Sequence, residues 1–471
     1  MITYDSRKVQ PGDTFVAIPG LKHDGAEFIP QAVEKGAKLI VAEKEVSVPV
    51  GVQFRKVVSA RRALAELSAE YYGHPSKKLK LIGVTGTKGK TTVAYLIQSI
   101  VNKAGYKCGL IGTLTSAMTT PESSDLQAEL AMMVKEGCTH CALEVSSHAL
   151  AQERVYGCRF HIAIFTNLSH DHLDYHKTME DYLLAKKKLF EMLDEHSTAI
   201  INVDDAASSS LIGVVTGEVV PYGIDQARHE LRSTKHNEFD VEVASVDINE
   251  YEMILKLNST EVRTPLIGKH NAYNIAAAFQ CGMVLGIRPA VIKQGIEAVK
   301  VIPGRQEEIN CGQLFRVIVD FAHSPDSLQK LLETYKPLTK GKLILVFGCP
   351  GDRDRAKRPI MGEIAARLAD RVIITTDDPY GEKPEDIIRE IELGTCLPAG
   401  KASNIEHRTE IETMVDRRAA LVRSLGIAKA GDIILIAGRG HEKYQDFLGK
   451  KVAFDDREVV KDILLSKSSA K

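Results

Sequence analysis

The chain alternates short apolar runs with longer amphipathic ones. Near the N-terminus, Thr14–Ile18 and Lys38–Ala42 are short β-like runs broken by Pro-Gly turns, and Arg61–Tyr72 has helical spacing. Gly73-His74-Pro75-Ser76 clusters backbone breakers and predicts a linker. Lys80–Val84 then reads as a buried strand, followed by a Gly-rich turn and an amphipathic helix over Thr91–Ala104. Further apolar runs at Cys141–Val145, His161–Thr166 and Ala199–Val203 alternate with helical patterns, which predicts a parallel sheet with crossover helices. The more polar stretch Thr216–Val262 alternates like antiparallel strands. A third α/β block begins near Gly304. Its predicted strands are Phe315–Asp320, Lys342–Phe347, Arg371–Thr375 and Asp432–Ala437, and its predicted helices are Ser324–Tyr335, Lys357–Leu368 and Glu410–Leu425. The tail Ser466–Lys471 reads as frayed. The fold class is α/β, in segments 1–78, 79–303 and 304–471.

Composition narrows the function classes. The 471 residues suggest about three domains. Lys+Arg (61) and Asp+Glu (62) balance, so no overall surplus of charge points to nucleic acid or a membrane surface. No apolar run approaches the ~20 residues of a membrane span, and MITYDSRKVQPGD lacks the apolar core of a signal peptide. The eight cysteines are scattered. Cys138-x-x-Cys141 has no second pair at zinc-site spacing and reads as ordinary thiols in a reducing compartment. A cytoplasmic protein, neither inserted in a membrane nor bound to nucleic acid, is expected.

The chemistry begins with Gly86-Thr87-Lys88-Gly89-Lys90-Thr91-Thr92, placed between a predicted strand and a predicted helix. In that context, glycines let backbone N–H groups turn inward on phosphate oxygens, and the helix N-terminus adds its dipole. Lys90 is expected on the β- and γ-phosphates of ATP and the Thr91 hydroxyl on Mg²⁺. The loop is a shortened form, because Val84 stands where the standard pattern has its first glycine. Glu144 ends a predicted strand, where a carboxylate faces the ligand crevice and can hold Mg²⁺, although a capping role fits the local pattern as well. His170-Asp171-His172-Leu173-Asp174-Tyr175-His176 is compatible with zinc, with a Mg²⁺ or substrate role, or with a polar turn. Its spacing matches no helical zinc motif. Lys186 lies in a run of three lysines that reads as the solvated face of a helix.

Together these segments resemble the Mur ligase family. The likeness spans nearly the whole chain: Asp5-Ser6-Arg7, GTKGKTT, Thr119-Thr120-Pro121, EVSSHAL, NLSHDHLDYH, AKKKLF, GKHNAYN, Pro303-Gly304-Arg305, DFAHSPD, GDRDRAKRP, DDPY and AGRGHE. Within the family it resembles the ligases that add the third residue to UDP-N-acetylmuramoyl-L-alanyl-D-glutamate. The resemblance implies a small N-terminal domain for the UDP end, a central ATP-binding domain and a Rossmann-like C-terminal domain for the incoming amino acid. It places Ser6 and Arg7 on the nucleotide of the substrate, and Thr119, Thr120, Ser146 and Arg154 along the rest of that substrate. Glu144 and His172 fall on Mg²⁺-associated positions, and Lys186 on a lysine that is carbamylated in the family. Lys90, His172 and Lys186 thus form the implied catalytic set. Asn271, Arg305, Asp320 and His323 fall around the adenine nucleotide, beside Gly86 through Thr92. Arg353 matches the anchor of the amino acid's α-carboxylate, and Asp377, Tyr380, Gly438 and Glu442 surround its far end. The implied partners are the UDP-linked dipeptide and a diamino acid, and the implied state is a monomer.

Two departures bear on domain extent and specificity. The family usually has further residues before Asp5-Ser6-Arg7, so a trimmed first domain is expected. Members that add meso-diaminopimelate typically read Asp-Asn-Pro-Arg where this chain has Asp377-Asp378-Pro379-Tyr380. The missing arginine is suited to bidentate pairing with a distal carboxylate. L-Lysine or a similar diamine, such as ornithine, is therefore expected over meso-diaminopimelate, with Arg439, beside the pocket motif, a residue able to supply the missing charge. Rival readings are another amide ligase of the superfamily, such as a folylpolyglutamate synthetase, and a nucleotide-binding regulatory protein without catalysis.

Overall fold

The sequence patterns resolve into two compact units in the computed structural model, which describes residues 1–20, 23–224, 241–396 and 409–468. One unit comprises Met1–Leu168, Glu180–Glu242 and Asn274–Ile296, and the other Ser169–Met179, Val243–Tyr273 and Glu297–Lys471.

In the first unit, β1 (Ile2–Thr3), β2 (Thr14–Val16), β3 (Leu39–Ala42) and β4 (Gln53–Lys56) form a parallel sheet in that order. Alternation of side chains along a strand puts Phe15, Ile40 and Ala42 on one face with Ile29 and Ala32, and Val16 and Val41 on the other with Leu64. Ser59 caps the helix Ala60–Tyr71 by accepting from the Arg62 N–H. A second, larger sheet contains β5 (Lys80–Thr85), β6 (Cys108–Ile111), β7 (His140–Glu144), β8 (Ile162–Phe165), β9 (Thr198–Asn202) and β10 (Glu218–Tyr222). Its order is β10-β9-β8-β5-β7-β6 and every pairing is parallel. Strands covered on both faces read as near-continuous apolar runs, which is why β5, β7, β8 and β9 are visible in the sequence. β5 is central, flanked by β7 and β8, so the loop leaving it opens at the carboxyl end of the sheet, where ligands of such folds bind.

In the second unit, β11 (Val243–Ile248), β12 (Met253–Leu257) and β13 (Thr260–Thr264) form an antiparallel meander. The expected antiparallel stretch is thus present over its second part. Its first part differs: β10 is a parallel edge strand on β9, and residues 225–240 lie outside the described residues. The unit's main sheet contains β14 (Glu307–Glu308), β15 (Arg316–Asp320), β16 (Leu343–Phe347), β17 (Arg371–Thr375), β18 (Glu410–Met414) and β19 (Ile433–Ala437). The order is β14-β15-β19-β16-β17-β18, antiparallel only at β14. A hairpin follows, β20 (Tyr444–Phe447) with β21 (Lys450–Ala453). Val317, Val319, Ile344, Val346, Ile434 and Ile436 pack with Leu421, Leu425 and Val460 from the helices Arg417–Ile427 and Asp456–Ser468.

One expected helix is corrected. Glu410–Met414 is a strand, and the helix begins only at Arg417, capped by Asp416. The alternation Glu410-Ile411-Glu412-Thr413 pairs residue for residue with β17 at the sheet edge. Glu410 there meets Lys342 and Arg371, so its charge belongs to an edge strand rather than to a helix face. Of the tail expected to fray, 469–471 lie outside the described residues, and the final helix extends to Ser468. No helix among the described residues is long and apolar enough to cross a membrane.

Candidate active site

β5 delivers the loop Gly86–Thr92 directly into the helix Lys90–Lys103. Gly86 (φ +148°) and Gly89 (φ +90°) occupy backbone conformations that side chains rarely adopt. A Cβ at Gly86 would overlap Thr166 Oγ1, and one at Gly89 would overlap Asn274 Oδ1. The Lys90 ammonium folds back over the loop and donates to Gly86 O (2.9 Å) and Thr87 O (3.0 Å). Thr166 and Asn167, at the exit of β8, clamp the other side. The Thr87 and Lys88 N–H groups donate to Asn167 O (2.8 Å) and Oδ1 (3.0 Å), and Thr166 Oγ1 donates to Lys88 O (2.6 Å). Tyr182 Oη donates to Thr87 Oγ1 (3.1 Å). Thr92 is buried in the first turn of the helix.

Thr91 Oγ1 donates to Glu144 Oε2 at 2.9 Å. Glu144 ends β7, one strand over, and its other oxygen accepts the Thr113 N–H at 2.9 Å. A hydroxyl and a buried carboxylate oxygen side by side at a phosphate loop are hard donors, and they fit Mg²⁺. Lys186 is fully buried on the helix Met179–Glu191, with its ammonium 4.2 Å from the centre of the Tyr182 ring. The bland sequence reading of a solvated face therefore fails for this one lysine of the three. His172 lies in the segment that packs with the second unit. Its backbone is left-handed (φ 56°) at the cap of the helix Leu173–His176, and its side chain is 42% exposed. Among the described residues the one convergent group of three or more potential metal ligands is Asp377, Asp378 and Glu442, so the histidines and aspartates of 170–176 do not gather as a zinc site would require.

The candidates for the UDP-linked substrate gather beside Glu144. Thr120 Oγ1 donates to Glu144 O (2.7 Å) and accepts the Ser146 N–H (3.0 Å), and Ser146 Oγ caps the next helix. Thr119 Oγ1 is 3.1 Å from Thr113 Oγ1. Arg154 donates to Thr120 O (2.9 Å) and pairs with Glu122 (3.0 Å). Nearer the N-terminus, Ser6 Oγ donates to Gln31 (2.6 Å), while Arg7 is exposed and pairs with Asp5.

In the second unit, the four candidates for the adenine nucleotide are linked through Gln306 and Phe321. Asp320, at the end of β15, accepts the Gln306 N–H (2.8 Å), and Gln306 Oε1 accepts from Asn271 (3.1 Å). The Arg305 guanidinium lies 4.4 Å from the centre of the Phe321 ring, and the His323 ring packs edge-on against it.

The candidates for the amino acid meet at the exits of β16, β17 and β19. Asp377 and Asp378 follow β17, and Gly438 (φ +112°) follows β19; a Cβ on Gly438 would stand 2.5 Å from Asp377 Oδ2. Arg439 is fully buried among three carboxylates, 2.6 Å from Asp378, 3.5 Å from Asp377 and 3.6 Å from Glu442. Three acids thus surround one guanidinium. Burial and the neighbouring Asp377 push the Glu442 carboxyl up to about 8, and burial raises Asp377 against the pull of Arg439 and Arg417. Asp377 Oδ2 is buried and has no hydrogen-bond partner among the described residues. Arg353 is exposed and stacks on Tyr380 at 5.6 Å, and Tyr380, with φ +46°, is held by backbone bonds to Asp446 and Leu448. Sequence reasoning missed the participation of Asp378, Thr113, Asn167 and Asn274. Asn167 and Asn274 stand inside quoted segments, whereas the bond from Thr113 to Glu144 has no local signal.

Comparison with known proteins shows the family. Profiles of the Mur ligase family catalytic domain, the Mur ligase middle domain and the Mur ligase glutamate ligase domain match residues 1–72, 84–282 and 304–440. The chain belongs to the Mur ligase family. Its architecture is the three-domain one of that family, whose members are ATP-dependent, Mg²⁺-requiring amide ligases. A UDP-N-acetylmuramoyl-L-alanyl-D-glutamate–2,6-diaminopimelate ligase of Syntrophomonas wolfei is 40% identical, over 99% of this chain and 94% of that protein. One of Clostridium perfringens is 42% identical, over 99% and 95%. A solved structure of a ligase of the same description superposes with a TM-score of 0.66 at 32% identity, covering 99% of this chain and 95% of that one.

Proposed function

We propose that this Mur ligase adds a diamino acid to UDP-N-acetylmuramoyl-L-alanyl-D-glutamate in peptidoglycan synthesis, in the cytoplasm. The observation that carries the reading is the phosphate loop with its Thr91–Glu144 oxygen pair, packed in one unit beside Thr120, Ser146 and Arg154. The relatives carry the same reading, since each is named for addition to this dipeptide. Residues 1–78 would hold the UDP end, 79–303 ATP, and 304–471 the incoming amino acid. In the reaction the γ-carboxylate of D-glutamate attacks the γ-phosphorus of ATP, giving an acyl phosphate and ADP. The amine then attacks the acyl carbon, loses a proton and expels phosphate. Lys90 is assigned to the β- and γ-phosphates, and Thr91 and Glu144 to Mg²⁺, which supplies charge neutralisation on the phosphate oxygens. Lys186 as a carbamate and His172 complete the assigned set. Asn271, Arg305, Asp320 and His323 are assigned to the nucleotide.

Of the two diamino acids weighed, diaminopimelate is the better supported, because the relatives at 39–42% identity are named for it. Both ligands bring an ammonium to Asp377 and Glu442, so the acidic cluster serves either. One observation favours L-lysine: Tyr380 stands where an arginine would read the distal carboxylate, and Arg439 is buried and already paired. Phosphate release should require the UDP-linked dipeptide and the diamino acid together. The ratio of kcat/KM for meso-diaminopimelate and L-lysine decides between the two. Phosphate release independent of the dipeptide would overturn the whole reading.

A further inference from the structure

Behind the acidic cluster lies an ion pair with no solvent contact. Arg417 opens the helix Arg417–Ile427 and Asp456 opens the helix Asp456–Ser468, and both side chains are 0% exposed. The guanidinium is bidentate on the carboxylate, with Nε to Oδ1 at 2.8 Å and Nη2 to Oδ2 at 2.7 Å. Nη1 also donates to Thr376 O (3.2 Å) and Nη2 to Ala437 O (3.3 Å). Thr376 immediately precedes Asp377, and Ala437 immediately precedes Gly438. These carbonyls leave β17 and β19, which are not neighbours, because β16 lies between them. One side chain therefore ties together two strand exits that the sheet does not bond to each other.

We propose that Arg417, oriented by Asp456, is a positioning residue for the choice of amino acid. It sets the separation between Asp377 on one exit and Gly438 and Glu442 on the other. The inference rests on the reading that the far end of the diamino acid meets these three residues. The tolerance there is narrow: Asp377 Oδ2 is buried without a hydrogen-bond partner among the described residues, and Gly438 leaves no space even for a Cβ beside it. The turn from Gly438 to Glu442 is closed by the Glu442 N–H on Arg439 O (3.1 Å), so a shift at Ala437 is passed on to Glu442. Arginine is required because a planar fork of five donors reaches a carboxylate and two divergent carbonyls at once, which a lysine ammonium does not. A displacement of about 1 Å in such a constellation costs up to roughly a hundredfold in rate.

The test uses Asp456→Asn, which keeps the shape and removes the charge, and Arg417→Lys, each in the full chain with its fold checked by circular dichroism and melting. KM is measured for all three substrates, with Glu442→Gln as the control. The expected result is a rise of about tenfold or more in KM for the diamino acid, a change in the ratio between L-lysine and meso-diaminopimelate, and KM for ATP and the UDP-linked dipeptide within about twofold. Equal rises for all three substrates, lower melting temperature with unchanged KM, or failure of both variants to fold makes the pair a structural strut and overturns the proposal. If Glu442→Gln itself leaves KM for the diamino acid unchanged, the pocket assignment falls and removes the premise. If that control responds and Asp456→Asn does not, only the positioning role fails.

Discussion

Glu442 gives the sharpest quantitative expectation. Its carboxyl is pushed up to about 8 by burial and by Asp377, well above the ordinary 4.5 of a glutamate. At pH 7 a group with that pKa is ionised in about one molecule in ten, and at pH 9 in about nine of ten. A diamino acid whose far ammonium pairs with ionised Glu442 binds the minor form at pH 7, and the apparent affinity is reduced by that fraction. KM for the diamino acid should thus fall about tenfold from pH 7 to pH 9. The sign for stability is opposite. A carboxyl whose folded pKa is raised holds its proton in the folded state while the unfolded chain has lost it, so its contribution declines as pH rises from about 4.5 to about 8. Where the two windows overlap, between about pH 7 and 8, binding tightens while stability falls, which distinguishes this mechanism from a general improvement of the protein. The assay is phosphate release at saturating ATP and UDP-linked dipeptide, with the diamino acid varied at each pH. The α-amine of the substrate also titrates in this range, so the readout is the wild-type profile divided by that of Glu442→Gln, which shares the substrate term. A flat ratio would refute the reasoning.

Lys90→Ala should reduce turnover to near background, measured as phosphate release with all substrates saturating, because the ammonium that folds onto Gly86 O and Thr87 O is the one assigned to the phosphates. Gly89→Ala should raise KM for ATP and lower the melting temperature. The left-handed backbone alone costs about 1–2 kcal/mol for a residue with a Cβ, and the new methyl meets Asn274. Lys186→Ala should be nearly inactive and regain activity with short carboxylates, since the buried site would then accept the anion that a carbamate supplies. An unmodified amine at Lys186 in active protein at neutral pH, observed crystallographically, would contradict that assignment.

The contrast between Lys186 and its neighbours shows where the sequence is legible and where it is not. The β5 strand, the glycine turn and the following helix are local: a buried parallel strand must be apolar throughout, and a turn at positive φ must be glycine, so Gly86 and Gly89 are readable from the letters alone. The burial of Lys186, between two lysines on the same helix, depends on which face packs inward. Leu189, Phe190, Tyr182 and Ala185 bury the same face, so helical spacing held that signal, and the charge of the lysine run masked it. Glu410 failed in the same way, since an acidic edge strand and a solvated helix share a composition. The acidic cluster was legible as charge but not as energetics. Asp377 and Asp378 stand in one motif and Glu442 in another, yet what matters is that Arg439 is buried among all three while Asp377 keeps an oxygen without a hydrogen bond among the described residues. Desolvation, which raises Glu442, depends on the packing of strands more than 60 residues apart in the chain. A substitution at position 380 therefore does not act alone on specificity. Replacing Tyr380 by arginine would place a second guanidinium near a cluster that already holds one, lowering the Glu442 pKa as well as offering a partner to a distal carboxylate. Gain of diaminopimelate selectivity in Tyr380→Arg should accordingly come with a weaker pH dependence of KM between pH 7 and 9, and a gain in selectivity with the slope unchanged would show that the two sites are electrostatically independent.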